Sequence, residues 1–190
     1  PRKGKQFTYA LIEERAPRAL TLSREKALEE LVVRYFTSHG PATITDFVWW
    51  SGLTVADTKK GIASAGLRLK EFELENKTYY FSPKQTKPAY NAEEVRLLPN
   101  YDEYTIGYRS KEALYLPPKA SISFGIGFWH TIVQNGRVIG TWRRASGKKH
   151  VTIQTKLFVK LDKEGKEALH AAAEKYGAFF GMPVKIEPTS

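Results

Sequence analysis

Seven cations and no carboxylate occupy residues 121–160: Arg137, Arg143, Arg144, Lys148, Lys149, Lys156 and Lys160. Over the whole chain 30 Lys plus Arg stand against 20 Asp plus Glu, a net charge of +10, so this segment holds most of the surplus. Clustered cations create a field that draws in polyanions, phosphate chains above all. A solvated sheet face is the alternative reading of the same residues. Lys59 and Lys60 form a second basic pair, and Lys77 a single cation between two strand-like runs.

Other residues offer less chemistry. Asp102 and Glu103 are an adjacent acid pair between Tyr101 and Tyr104; general acid or base duty is conceivable, but a turn held by Asp102 and packed by the tyrosines is the favoured reading. His39, His130, His150 and His170 lack metal-ligand spacing, and His39 is expected to end a helix. Gly125-Ile126-Gly127 lacks the third glycine and the following helix of a dinucleotide site. Neither a metal nor a cofactor is expected. Trp49-Trp50 would suit stacking on unpaired bases, yet core packing is favoured for two large aromatics on a short helix.

The chain of 190 residues has room for one large domain or two small ones. Its 42% hydrophobic and 26% charged residues exclude a wholly disordered or fibrous chain. Cysteine is absent, which removes disulfides and thiol chemistry together. No apolar run reaches the roughly 18 residues of a membrane span, and a cytoplasmic location is expected. The chain starts at Pro1, with Arg2, Lys3 and Lys5 ahead of a strand-like run, and is expected to be a piece of a longer protein.

The elements that must position these residues are legible from periodicity and caps. Residues 6–13 read as a strand broken by Pro17. From the Ser23 cap, Ala27, Leu28, Leu31, Val32, Tyr35 and Phe36 recur at helical spacing until Gly40-Pro41. Thr43 and Thr54 each precede an acid by three residues, marking two further helix entrances separated at Ser51-Gly52. The helix from about 55 to 66 is expected to bury Val55, Ile62 and Ala65 and to expose Thr58, Lys59, Lys60 and Ser64. A hairpin about Asn76-Lys77 follows, and three helices with a hairpin make a winged helix-turn-helix. Glu71, Glu73 and Glu75 argue against that hairpin lying on phosphates, leaving Lys77 at its tip as the contact.

Beyond a linker at 84–93, Val95–Leu98, a hairpin about Asn135-Gly136 and a strand from Val151 to Val159 precede a helix capped by Asp162. That helix is expected to present Ala168, Leu169, Ala172, Tyr176 and Phe179 on one side. The expected fold class is therefore α+β: the end of a preceding unit at 1–20, a winged-helix domain at 21–83, and an antiparallel β domain with a closing helix at 94–190.

Arg34-Tyr35-Phe36, Ser38-His39-Gly40-Pro41-Ala42-Thr43, Asp46-Phe47 and Trp49-Trp50-Ser51-Gly52-Leu53 carry a further signal. With Arg96-Leu97-Leu98-Pro99, Tyr101-Asp102-Glu103-Tyr104 and the run Gly136–Arg144, they resemble the AlkZ/YcaQ-like winged-helix DNA-binding family. The resemblance implies a bacterial protein of tandem winged helices with a barrel-like C-terminal domain, whose characterised members are DNA glycosylases removing alkylated and crosslinked bases. That family's catalytic pattern, a Gln one residue from a Gln or Asp, belongs to its N-terminal part, and Gln6, Gln85, Gln134 and Gln154 do not match it. No catalytic residue is carried over. The expectation is a portion that binds double-stranded DNA, including damaged DNA, through Lys59, Lys60, Lys77, Arg137, Arg143, Arg144, Lys148 and Lys149, in one cationic cradle. Its alternatives are a glycosylase whose catalytic residues lie upstream, and a winged-helix transcription regulator.

Overall fold

The computed structural model describes residues 2–4, 6–84, 94–111, 114, 130–146 and 149–189. Two short strands, β1 (Arg2–Lys3) and β2 (Gln6–Phe7), lead to a single helical turn, α1 (Ile12–Arg15). The strand expected over 6–13 is thus cut to its first two residues: Phe7, Leu11 and Ile12 are all exposed, and a short two-stranded ribbon gains little where its apolar side stays in solvent.

Three helices follow: α2 (Arg24–Ser38), α3 (Ile44–Ser51) and α4 (Val55–Ala65). Their starts are chemical. Ser23, Thr43 and Thr54 each accept a hydrogen bond from the backbone N–H three residues on, and at Thr43 the Asp46 carboxylate returns the bond to complete a capping box. The α2 ladder closes on the His39 N–H, as expected of that residue. Val32, Val33, Tyr35, Phe36, Ala42, Phe47, Ala65 and Leu69 form the core of this unit.

The helix pair α2 and α4 is tightly apposed, which revises the expected faces of α4. A Cβ at Gly61 would stand 2.7 Å from Val32 Cγ2, so the small side of α4, with Thr58, Gly61 and Ala65, turns inward. Thr58 is fully buried, its hydroxyl donating to the Thr54 carbonyl, while Val55 is exposed. Close helix packing selects small residues over the larger apolar one.

On the α2 surface, Arg68 donates to Glu29 and Glu30 at 2.7 Å each, and Lys26 reaches Glu29 at 2.9 Å. The Lys26 hydrogen bond at Glu29 and the Arg68 hydrogen bond at Glu30 hold both carboxyls below their ordinary range. A depressed folded value means that this stabilisation is complete above the unfolded carboxyl value of 4.5 and disappears as the pH falls through the lowered folded values. The Arg68→Ala variant should therefore lose less stability on acidification than the parent, as read by urea denaturation at neutral pH and below pH 4.5.

The hairpin of β3 (Lys70–Leu74) and β4 (Lys77–Phe81) turns at Glu75-Asn76, one residue earlier than expected. Both turn residues have positive φ, 51° and 60°, as a two-residue turn of this hand requires. Ala42 bridges to Tyr80 on the other side of β4, and the Tyr80 ring packs at a tilt of 50° against Phe36.

The second sheet runs β5 (Val95–Leu98), β6 (His130–Gln134), β7 (Arg137–Ser146), β8 (Val151–Leu157) and β9 (Val184–Pro188) in that order. β6 and β7 turn through Asn135-Gly136, with φ of 53° and 67°. Two expectations are corrected here. The sheet is mixed, because after α6 (Lys163–Phe179) the chain returns through Gly181 and lays β9 parallel to β8. Among the described residues it is also open, with β5 and β9 at its two edges, so no closed barrel forms. One face packs α6, burying Val95, Ile132, Ile139, Trp142, Ile153 and Leu169. Phe179, expected on the apolar side of this helix, is its last residue and is 82% exposed. Among the described residues no helix is long and apolar enough to cross a membrane.

Candidate nucleic-acid interface

Turning Thr58, Gly61 and Ala65 toward α2 leaves Lys59 and Lys60 exposed on the outer side of α4. Neither makes an ion pair among the described residues. At the entrance of α4, the Thr54 hydroxyl and then Arg24 hold the Asp57 carboxyl below its ordinary range. That acid is thereby engaged at the helix start.

The β3–β4 register sorts the hairpin's side chains cleanly. Glu71 lies opposite Tyr80 and Glu73 opposite Thr78, on the side from which Tyr80 enters the core. Lys70 opposite Phe81, Phe72 opposite Tyr79, and Leu74 opposite Lys77 make up the other side. Lys77 is exposed as expected. The objection raised by the glutamates applies to one face of the ribbon only, since strand side chains alternate.

The sheet divides the remaining cations. Arg143 pairs with Gln154 and donates to its Oε1 at 2.6 Å, on the face away from α6. Lys156 and Lys185 share that face by register, with Glu187 as its carboxylate in β7–β9. Arg144 points the other way, its guanidinium 5.1 Å above the Phe180 ring at the end of α6. Arg137 pairs with Gln134 on the α6 side and is half-buried. Lys149 is exposed in the turn before β8, and Lys148 lies outside the described residues. The expected single strip is thus two sets on opposite faces. Adjacent residues in one strand must diverge, a signal available in the Arg143-Arg144 dipeptide itself.

Residues 99–111 tie this sheet to the helices. Asp102 caps the short helix α5 (Glu103–Ile106) by accepting from the Tyr104 N–H at 2.9 Å, in line with the turn reading of this acid pair. Tyr104 donates to the Gly136 carbonyl at 2.6 Å in the β6–β7 turn. Toward the helices, Tyr35 donates to Gly107, Tyr108 to His39, and the His39 ring meets Glu103 at 3.2 Å. Burial, reinforced by the charge of Asp46, raises the Tyr35 and Tyr108 hydroxyls above the usual phenol range. Burial also lowers Lys111, whose ammonium donates to the Thr105 and Tyr108 carbonyls. The buried Asp46 carboxylate serves both sides, accepting from Thr43 within the cap and from the Arg109 N–H at 2.8 Å.

The tryptophans are not core residues. Trp49 is 51% exposed, its indole N–H donating to Ile106 at 3.0 Å and its ring lying 5.3 Å from the Arg109 guanidinium. Trp50 is 37% exposed and packs one side against Tyr35 and His39. The partial cover of Trp49 depends on Ile106 and Arg109, more than 50 positions away, which no local pattern announces.

Among the described residues no group of three His, Cys, Asp or Glu is placed to hold a metal. Gly125-Ile126-Gly127 and Gln85 lie outside the described residues. Gln134 sits by the start of α6 and Gln154 binds Arg143, so both are engaged within the sheet.

The family model described as DNA glycosylase AlkZ-like matches residues 1–179. A curated relative, an interstrand DNA cross-link repair glycosylase of Streptomyces sahachiroi, is 26% identical over 153 residues, covering 75% of this chain and 41% of its own length. The solved structure of Streptomyces sahachiroi DNA glycosylase AlkZ superposes with a TM-score of 0.74 at 21% identity, over 98% of this chain and 53% of that one. At that identity the superposition speaks for the fold alone, and the chain spans about half the length of the solved protein or less than half of the curated one. With nearly its full length matched, the chain belongs to the AlkZ-like DNA glycosylase family.

Proposed function

We propose that this chain is the DNA-binding portion of an AlkZ-like repair protein, holding double-stranded and damaged DNA. On this reading residues 21–83 are a winged helix-turn-helix, α4 is its groove-facing helix, 84–93 is a linker, and 94–190 is the supporting β unit. The observation that carries it is the pair Lys59 and Lys60, exposed on the outer face of α4 and in no ion pair among the described residues, in a chain of a DNA glycosylase family. Phosphate contacts of this kind fix register and supply most of the affinity, and side chains of the inserted helix reach base edges. Lys77, Arg137, Arg143, Arg144, Lys148 and Lys149 complete the proposed contact set.

The name of the curated relative favours a second element, excision of a damaged base with the chemistry supplied by residues outside this chain. Base release from alkylated duplex by the full-length gene product, and none by this chain, is the expected pattern. Release by this chain alone would place the catalytic groups within it.

The sheet cations yield a sharper forecast. Because Arg143 and Arg144 face opposite ways, their separate charge reversals should differ. If the face carrying Lys156 and Lys185 meets DNA, Arg143→Glu weakens binding about tenfold in fluorescence anisotropy at low salt, and Arg144→Glu less than about twofold. The reverse order would put the phosphates on the α6 side.

A further inference from the structure

We propose that the outer face of the β3–β4 hairpin is a stacking surface for unpaired nucleobases, a role that rests on the DNA-binding reading and refines it. Phe72 and Tyr79 sit opposite each other with ring centroids 5.6 Å apart and planes within 14°, and Phe81 meets Phe72 edge-on at 5.9 Å. Phe72 is 40% exposed and Leu74 55%. Two-residue alternation puts these side chains on the ribbon face opposite Tyr80, where Phe72 and Leu74 are exposed and Tyr79 and Phe81 half-buried.

The same face carries Lys70 at one end and Lys77 at the other, both exposed and neither in an ion pair among the described residues. Glu71 and Glu73 project from the opposite face, and Glu75 occupies the turn beyond Lys77. An apolar protein partner would need no such segregation. Aromatic rings flanked by cations and cleared of carboxylates match a chain of bases and phosphates, whose bases stack on any ring while its backbone seeks the lysines. A fully paired duplex hides its base faces within the stack, so the surface selects splayed or unpaired nucleotides, as found at a gap or beside an extruded base.

The test uses two fluorescein-labelled duplexes, one fully paired and one with a three-nucleotide single-stranded gap containing 2-aminopurine. The parent should bind both and quench the 2-aminopurine emission on stacking. Phe72→Ala should weaken binding to the gapped duplex about tenfold with little change for the paired one, and should abolish the quenching; Phe72→Tyr should restore both. Since Phe72 is part-exposed, thermal melting of each variant controls for folding, and Lys70→Ala provides a second variant that should weaken the gapped duplex and leave melting unchanged. Equal losses on both duplexes, or unchanged quenching in a folded Phe72→Ala protein, overturn the stacking role alone. If the parent binds neither duplex, the DNA-binding reading and this refinement fall together.

Discussion

Replacing Asp46 with alanine should lower stability by about 3 kcal/mol, a large share of the roughly 5–15 kcal/mol typical of a domain. The carboxylate is 5% exposed and accepts from the Thr43 N–H at 2.9 Å, the Thr43 hydroxyl at 2.6 Å and the Arg109 N–H at 2.8 Å. Alanine removes the capping box of α3 and strands the Thr43 donors together with the Arg109 N–H, which lies 63 positions from Asp46. Loss of a cap costs about 1 kcal/mol, and each part-buried donor left without an acceptor adds about 1 kcal/mol, the lower end of the range for a fully buried one. In urea the midpoint should fall by about 1–2 M with little change in slope. Asp46→Asn keeps an acceptor of the same shape and should give roughly half the loss. A shift below about 0.5 M for Asp46→Ala would mean that water satisfies these donors and that the clamp between helices and sheet is weak.

Reversing both Lys59 and Lys60 to glutamate should reduce duplex affinity by about a hundredfold at low salt and flatten its salt dependence. Each phosphate contact releases a counterion, so log K falls with log salt at about 0.9 per contact, and losing two contacts lowers that slope by about two. The lysines stand on the outer face of α4 while its small residues bind α2, so the substitutions should leave melting unchanged. Anisotropy titrations over a salt series check both numbers at once. A variant with the parental slope would show the two lysines to be a solvated face, and would shift the contact surface to the Arg143 side of the sheet.

Those two expectations differ in how far the amino-acid order alone supports them. The caps at Ser23, Thr43, Thr54 and Asp162 and the Asn135-Gly136 turn were legible because each is closed by bonds within a few residues. The exposure of Lys59 and Lys60 was legible for a different reason, the cost of burying an unpaired ammonium whatever face the helix turns inward. The strand over 6–13 was misread because its apolar residues match a strand pattern while Phe7, Leu11 and Ile12 stay exposed. Thr58 was misread because hydropathy ranks it below Val55, whereas the close approach of α2 at Gly61 admits only a small side chain.

What the sequence determined by itself is the local grammar: where helices begin, where two-residue turns fall, and how much positive charge the chain carries. Tertiary structure alone decided that Asp46 reaches Arg109, that Trp49 hangs on Ile106, and that β9 joins β8 in parallel. It likewise split the cations between two faces of one sheet. The physical reason is separation along the chain: a cap or turn is worth its energy within one loop of backbone, while a contact across 50 or more residues exists only once packing has already brought both partners together.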